Sequence, residues 1–157
     1  MNDQEKIIDA NKAPSRARRI VALGDILYST VRPYLHNMCI VERQFSKEII
    51  ASTGLAVFAC YSGLENRFLF RYLMSPDFDS YANSTDISKG IAYPAINDGK
   101  LYDALFPLPP LAEQKRIVAK IEELLPHLED YDRAETQVSK LNAEFPEQLK
   151  NLRLCRQ

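Results

Sequence analysis

Two short stretches hold the residue types that metal-dependent phosphodiester chemistry uses. "SPDFD" supplies Pro76-Asp77, and "INDGK" supplies Asp98-Gly99-Lys100. Together they imitate the PD…(D/E)xK spacing of many nucleases, in which two carboxylates hold Mg²⁺ and a lysine helps position a water. The imitation fails where the chemistry is strictest. Such sites carry the D-x-K on a hydrophobic strand, whereas here it falls in a turn-like segment. Asp77 falls at the start of a predicted helix, where a carboxylate suits the helix dipole without any metal. Other catalytic signatures are missing from the sequence. It has no GxxxxGK[ST] or GxGxxG phosphate loop, no GxSxG elbow, no HExxH helix and no Asn-Pro-Pro-Tyr motif of amino-methyltransferases. Cys39, Cys60 and Cys155 form no CxxC pair, and Cys39 and Cys60 lie within apolar runs. They read as buried thiols in a reducing compartment. His36 and His127 are far apart with no cysteine or histidine cluster near either, so no zinc site is expected. The expectation is a chain with no catalytic residues, no metal and no cofactor.

A second set of residues fits binding better than catalysis. Basic, polar and aromatic side chains interleave in "STVRPYLHN" and "NSTDISKGIAYPAINDGK". Arg32, Tyr34, His36, Lys89, Tyr93, Asn97 and Lys100 are types that contact phosphates and base edges. They fall in predicted loops, where binding residues concentrate, although solvated loops carry such residues routinely. "RARR" (Arg16–Arg19) could touch a phosphate backbone, or could equally be a loose polar terminus.

The whole chain limits these readings. It has 157 residues, 46% hydrophobic and 26% charged, and a formal net charge of −1. That is one ordinary domain with an appendage, and it is not a polycation. Binding to nucleic acid would require the positive charge to gather on one face. No apolar run reaches the roughly 18 residues of a membrane span. The polar, acidic start "MNDQEKIIDANK" has no signal-peptide core. The expected location is the cytoplasm, with no membrane partner.

Two textures divide the chain. Residues 1–19 read as a polar lead. Residues 20–110 are short apolar runs punctuated by Gly, Pro, Asn, Asp and Ser. Residues 111–157 are helical in texture, with no glycine and much Glu, Lys, Leu and Ala. The predicted fold is α+β: a small mixed-sheet domain followed by a long, broken, coiled-coil-like helical segment. Strands are expected at Asp25–Val31, Met38–Val41 and Gly54–Cys60. Ser62 and Glu65 have capping-box spacing ahead of a helix ending near Met74. Ser75-Pro76 suits the start of a second helix, with Phe78, Tyr81 and Ala82 on one face. "ALFPLP" reads as extended, its prolines confining it to a sheet edge or to no sheet. The sheet looks short of partners, as in the back half of a larger domain.

From Ile117, steps of seven reach Leu124, Tyr131, Val138, Phe145 and Leu152, all apolar or aromatic. The interleaved series from Ile121 runs Leu128, Glu135, Asn142 and Leu149, apolar at its ends and polar in its middle. Alternating steps of three and four make a seam for a partner helix. Breaks are expected at Pro126 and at Phe145-Pro146, since proline removes a backbone donor and crowds the preceding turn. About 40 helical residues extend roughly 60 Å, longer than the preceding domain. Folding back on that domain is the alternative, but a second helix would cover the stripe more completely. The residues expected to pair are Ile117, Ile121, Leu124, Leu128, Tyr131, Val138 and Phe145.

"FPLPPLAEQKRIVAKIEELLPHLEDYDRAE" followed by "KLNAEFPEQLK" closely resembles the spacer of specificity subunits of type I restriction–modification systems. "GDILYSTVRPYL", "STGLAVF", "FLFRYLMSPDF" and "KGIAYPAIN" precede it in family order, so the resemblance runs from about Gly24 to Lys150. It implies a target recognition domain followed by a spacer helix. In the family two such domains are held apart by antiparallel helices, and each reads half of a bipartite double-stranded DNA site. The helices also dock the methyltransferase subunits, and catalysis belongs to the methyltransferase and restriction subunits. Here there is one recognition domain, its usual N-terminal half is largely missing, and the chain stops at "NLRLCRQ". The expectation is a truncated half-subunit that binds DNA and forms a homodimer through its helices. The alternative is an assembly or decoy protein that binds the methyltransferase without reading DNA.

Overall fold

A computed structural model describes residues 7–84 and 95–154, with side chains to Phe145. Five strands come first: β1 (Ala17–Val21), β2 (Ile26–Ser29), β3 (Met38–Ile40), β4 (Ile49–Ser52) and β5 (Leu55–Phe58). The helices are α1 (Asn66–Leu73), α2 (Pro76–Asn83), α3 (Asp98–Tyr102) and α4 (Leu111–Leu154). The chain separates into two compact units, Met1–Lys115 and Arg116–Gln157.

β2 is the central strand of a three-stranded sheet ordered β3-β2-β5, and β1 pairs with β4 in a second sheet. Every strand pairing among the described residues is antiparallel, so the expected mixed sheet is corrected. The strand expectations at β2, β3 and β5 hold to within a few residues.

Period-two alternation distributes the apolar side chains of β2 and β5 between two cores. Ile26, Tyr28, Ala56 and Phe58 face Leu69 and Leu73 of α1, Phe78 and Ala82 of α2, and Ile96 and Leu101. Leu27, Leu55 and Val57 join a smaller cluster with Val21, Val41 and Ala51. Rings fill the larger core edge to face: Tyr28 meets Phe78 at 5.7 Å and Phe58 at 6.3 Å, and Tyr72 meets Phe106 at 5.0 Å. Such pairs contribute about 0.5–1.5 kcal/mol each beyond burial.

The described end of the polar lead is a strand, not a loose terminus. Its last residues form β1, so a boundary after Arg19 falls inside a strand. β4 was not expected either. The chain leaves β4 at Thr53-Gly54 and enters the other sheet as β5, so "IIASTGLAVF" is a corner between sheets.

α2 starts as expected: Ser75 Oγ accepts from the Phe78 amide at 3.3 Å, with Pro76 in the first turn. α1 does not. Its N-cap is Glu65, and Ser62 makes no cap. The Glu65 amide instead donates to Gln114 Oε1 at 2.8 Å, and Gln114 Nε2 donates to the carbonyls of Gly63 and Pro109, both at 2.8 Å. Gln114 is fully buried, at 0% exposure. Gly63 lies between Ser62 and the helix with φ of +96°, a conformation that glycine adopts readily.

The Asp98-Gly99-Lys100 triplet opens α3 rather than forming a turn, capped by Asn97 Oδ1 on the Lys100 amide at 2.8 Å. α4 is one helix of 44 residues, about 66 Å long. The expected breaks at Pro126 and Pro146 do not occur. A proline inside a helix removes one hydrogen bond and can be absorbed as a local bend. Here the neighbouring turns are rich in strong helix formers.

Burial, followed by the Asp79 carboxylate, pushes the Tyr28 phenol from 10.0 up to about 12. The folded state therefore favours neutral Tyr28. That contribution is fully present below the unfolded value and is lost as pH rises through about 12. By ultraviolet absorbance the Tyr28 phenol should titrate near 12, and Tyr28→Phe should remove that step. The hydroxyl has no hydrogen-bond partner, so Tyr28→Phe should change stability by less than about 1 kcal/mol while Tyr28→Ala costs about 3–5 kcal/mol. Gln114→Leu strips three backbone groups of their partner. Chemical denaturation should show a loss on the order of 1–3 kcal/mol for each group left buried and unpaired. Unchanged stability would show that Gln114 is not the clamp.

Candidate nucleic-acid interface

β2 ends at Ser29, and the chain turns through "TVRPYLHN" before entering β3. Thr30 ties this exit to two other segments. Its amide and hydroxyl both donate to the Gly54 carbonyl, at 3.1 and 3.0 Å. Its carbonyl accepts from the Ile96 amide at 2.9 Å, and Val31 bridges Ala95. Backbone pairing thus brings "STVRPYLHN" beside the start of "AINDGK", although some 60 residues separate them in sequence.

The loop itself is a 3-10 turn, Pro33–Leu35, between two residues of left-handed backbone: Arg32 at φ 52° and His36 at φ 48°. A non-glycine residue persists there only when its surroundings over-determine it, at on the order of 1–3 kcal/mol each. Several contacts do so. Pro33 is buried. The Leu35 and His36 amides donate back to the Arg32 and Pro33 carbonyls, and the Ser29 amide donates to the Asn37 carbonyl. His36 Nε2 meets Asp79 Oδ2 at 2.6 Å, anchoring the loop to α2. Tyr34, half exposed at 50%, and Leu35 are left at the tip.

The second segment is occupied differently. Lys100 Nζ donates to the carbonyl and hydroxyl of Ser84 at 2.7 and 3.1 Å, at the C-terminus of α2 where a cation suits the helix dipole. It also lies 5.1 Å from the centre of the Tyr81 ring, and the Tyr81 hydroxyl donates to the Lys100 carbonyl at 2.6 Å. Asn97 Oδ1 serves as the α3 cap. Asp98 accepts from Arg19 Nη2 through both oxygens, at 2.9 and 3.2 Å. Lys89 and Tyr93 lie outside the described residues. Arg32, Tyr34 and His36 therefore share one loop, and Asn97 and Lys100 sit on the segment bridged to its base.

Two residues of the nuclease imitation are engaged in other contacts. Asp98 is ion-paired, and the Lys100 amine is held by Ser84. No group of three or more His, Cys, Asp or Glu that could hold a metal ion occurs among the described residues. Burial pushes the Cys39 and Cys60 thiols up, Cys60 further through Asp25 and Glu65. A raised thiol stays protonated and unreactive. Among the described residues no helix is long and apolar enough to cross a membrane.

Local spacing could not show Asp79 as the loop anchor, because His36 lies 43 positions away. The Arg19–Asp98 pair spans 79 positions. Its one signal was the arginine run itself. Of the residues expected to pair helices, Ile117 and Ile121 are half-buried. Leu124, Leu128, Tyr131, Val138 and Phe145 are between 46% and 66% exposed.

Comparison with known proteins extends this picture. Residues 18–135 match the family described as type I restriction modification DNA specificity domain. The EcoDI type I restriction enzyme specificity subunit of Escherichia coli is 29% identical over 110 residues, covering 70% of this chain and 23% of that protein. The HsdS subunit from Thermoanaerobacter tengcongensis is 38% identical with a TM-score of 0.67, covering 85% of this chain and 34% of that one. A chain from a structure of type I R-M complex assembly and conformational transition is 34% identical with a TM-score of 0.73, covering 88% of this chain and 35% of that one. The chain thus spans about a quarter to a third of the length of these relatives. Of these relatives one is named as a specificity subunit and another as an HsdS subunit. With its match running from β1 well into α4, the chain belongs to the type I restriction–modification DNA specificity domain family.

Proposed function

We propose that this chain reads one half of a bipartite double-stranded DNA site and directs the methyltransferase and restriction subunits of a type I complex to it. The observation that carries the reading is the family match over residues 18–135, which takes in both the recognition domain and the first part of the helix. The Arg32–His36 loop supports it. A residue held at a fixed loop tip keeps its place when it meets a base edge, which lowers the entropy lost on binding. Arg32, Tyr34 and His36 face the DNA in this reading, with Lys100 on the bridged segment, and Lys89 and Tyr93 are further DNA contacts expected from the sequence alone. Lys100 would use the N–H that Ser84 does not take. The exposed stripe on α4 supports a homodimer in which two copies, related by a two-fold axis, stand in for one full subunit.

Selection from a random duplex pool should enrich a short asymmetric sequence. Arg32→Ala or Tyr34→Ala should weaken binding to it about 5- to 150-fold, the equivalent of about 1–3 kcal/mol, and relax the preference. A chain that binds no duplex at any salt concentration, yet co-elutes with a methyltransferase subunit, would be an assembly or decoy protein instead. Light scattering should show a dimer at micromolar concentration, converted to monomer by Leu124→Asp. A monomer unchanged by that substitution would sink the dimer.

A further inference from the structure

Arg16 and Arg18 lie at the start of β1, and the fold provides neither with a carboxylate among the described residues. Arg19 is paired with Asp98, and Arg67 with Glu42. Arg16 and Arg18 are exposed, and neither has an ion-pair partner among the described residues. The backbone that carries them is ordered structure. Ala17 pairs with Ser52 and Arg19 with Ala51, so Arg18 is the extra residue of a β-bulge. Bulges re-aim side chains, and they are common beside functional sites. Arg18 Nε donates to the Ser15 carbonyl at 2.7 Å, which steadies the guanidinium while its terminal nitrogens carry further donors.

Arg16 is steadied in a similar way. Its Nε donates to Thr53 Oγ1 at 3.4 Å, and its carbonyl accepts from the Thr53 amide at 2.8 Å. The guanidinium runs along Gly54, where a Cβ would come within 3.1 Å of Nη2. Gly54 is the residue whose carbonyl holds Thr30 at the base of the Arg32–His36 loop. From the other side, Arg19 ties β1 to Asp98 at the start of α3. The arginine strand is therefore joined to both segments of the candidate interface, by Gly54 and by Asp98.

We propose that Arg16 and Arg18 contact the phosphate backbone of duplex DNA flanking the bases met by the Arg32–His36 loop. The proposal rests on the DNA-reading function above. A chain of net charge −1 must concentrate its positive charge to bind a polyanion, and this edge does so. Guanidinium groups match phosphate oxygens bidentately, and such contacts position a protein without reading sequence.

The test uses the 157-residue chain with two probes, the selected duplex and a random-sequence duplex, each titrated across a range of salt concentrations. Arg16→Gln and Arg18→Gln should each weaken binding to both probes by the same factor. Each should also reduce the slope of log affinity against log salt by about 1. Arg16→Lys and Arg18→Lys should retain the slope, which separates charge from folding. If the parent prefers the selected duplex and the glutamine variants keep its slope, the phosphate contacts are refuted while the reading function stands. Variants that lose sequence preference at constant slope would make these residues base readers and also refute the proposal. A parent that binds neither duplex overturns both readings.

Discussion

A strand packed on both faces, buried on one and partly buried on the other, is the constraint from which the recognition domain follows. β2 turns Ile26 and Tyr28 toward the helices and Leu27 toward the cluster shared with β1 and β4. Neither side can be left wet: a fully buried side chain of this size contributes about 1.5–3 kcal/mol. Two layers must therefore close over one central strand. Because β3 and β5 flank β2, their alternation is set by the same two cores, and a slip of one residue would turn every side chain to the wrong layer.

The candidate interface is what hangs from the end of that strand. A loop leaving a strand packed on both faces starts from a fixed point, and Thr30 extends that fixed point to Gly54 and Ile96. Two left-handed residues can then be held in place, with His36 tied down by Asp79. The electrostatics follow the same division. Charges on the segment bridged to the loop are matched: Lys100 lies at the end of α2, and Asp98 against Arg19. The exposed guanidinium groups of Arg16 and Arg18 lie instead at the start of β1.

The sequence showed most of the recognition domain because β2, β3 and β5 are short apolar runs bounded by turn residues, and because Phe68, Leu69, Tyr72 and Leu73 recur at helical spacing. It hid β1, since "RARRIV" places three arginines where a strand normally shows alternation, and the bulge at Arg18 disrupts what alternation there is. β4 was hidden because its two isoleucines follow a charged run and meet no turn signal until Thr53-Gly54. The prolines of α4 misled in the opposite direction, because one missing hydrogen bond is small against a long run of good helix formers. Arg32, Tyr34 and His36 could be recognised as loop residues of binding type. What holds them could not, since the His36–Asp79 contact joins positions whose proximity exists only after α2 packs.

Gln114 carries a consequence for how the domain opens. The amide of Glu65, the residue that caps α1, finds its acceptor in the first turn of α4, far along the chain. Local fraying of α1 is then no longer a local event, because that proton is shielded only while Gln114 is seated. Amide hydrogen exchange at Glu65 would therefore report on the seating of Gln114, with a protection factor set by undocking rather than by the intrinsic helicity of "NRFLFRYL".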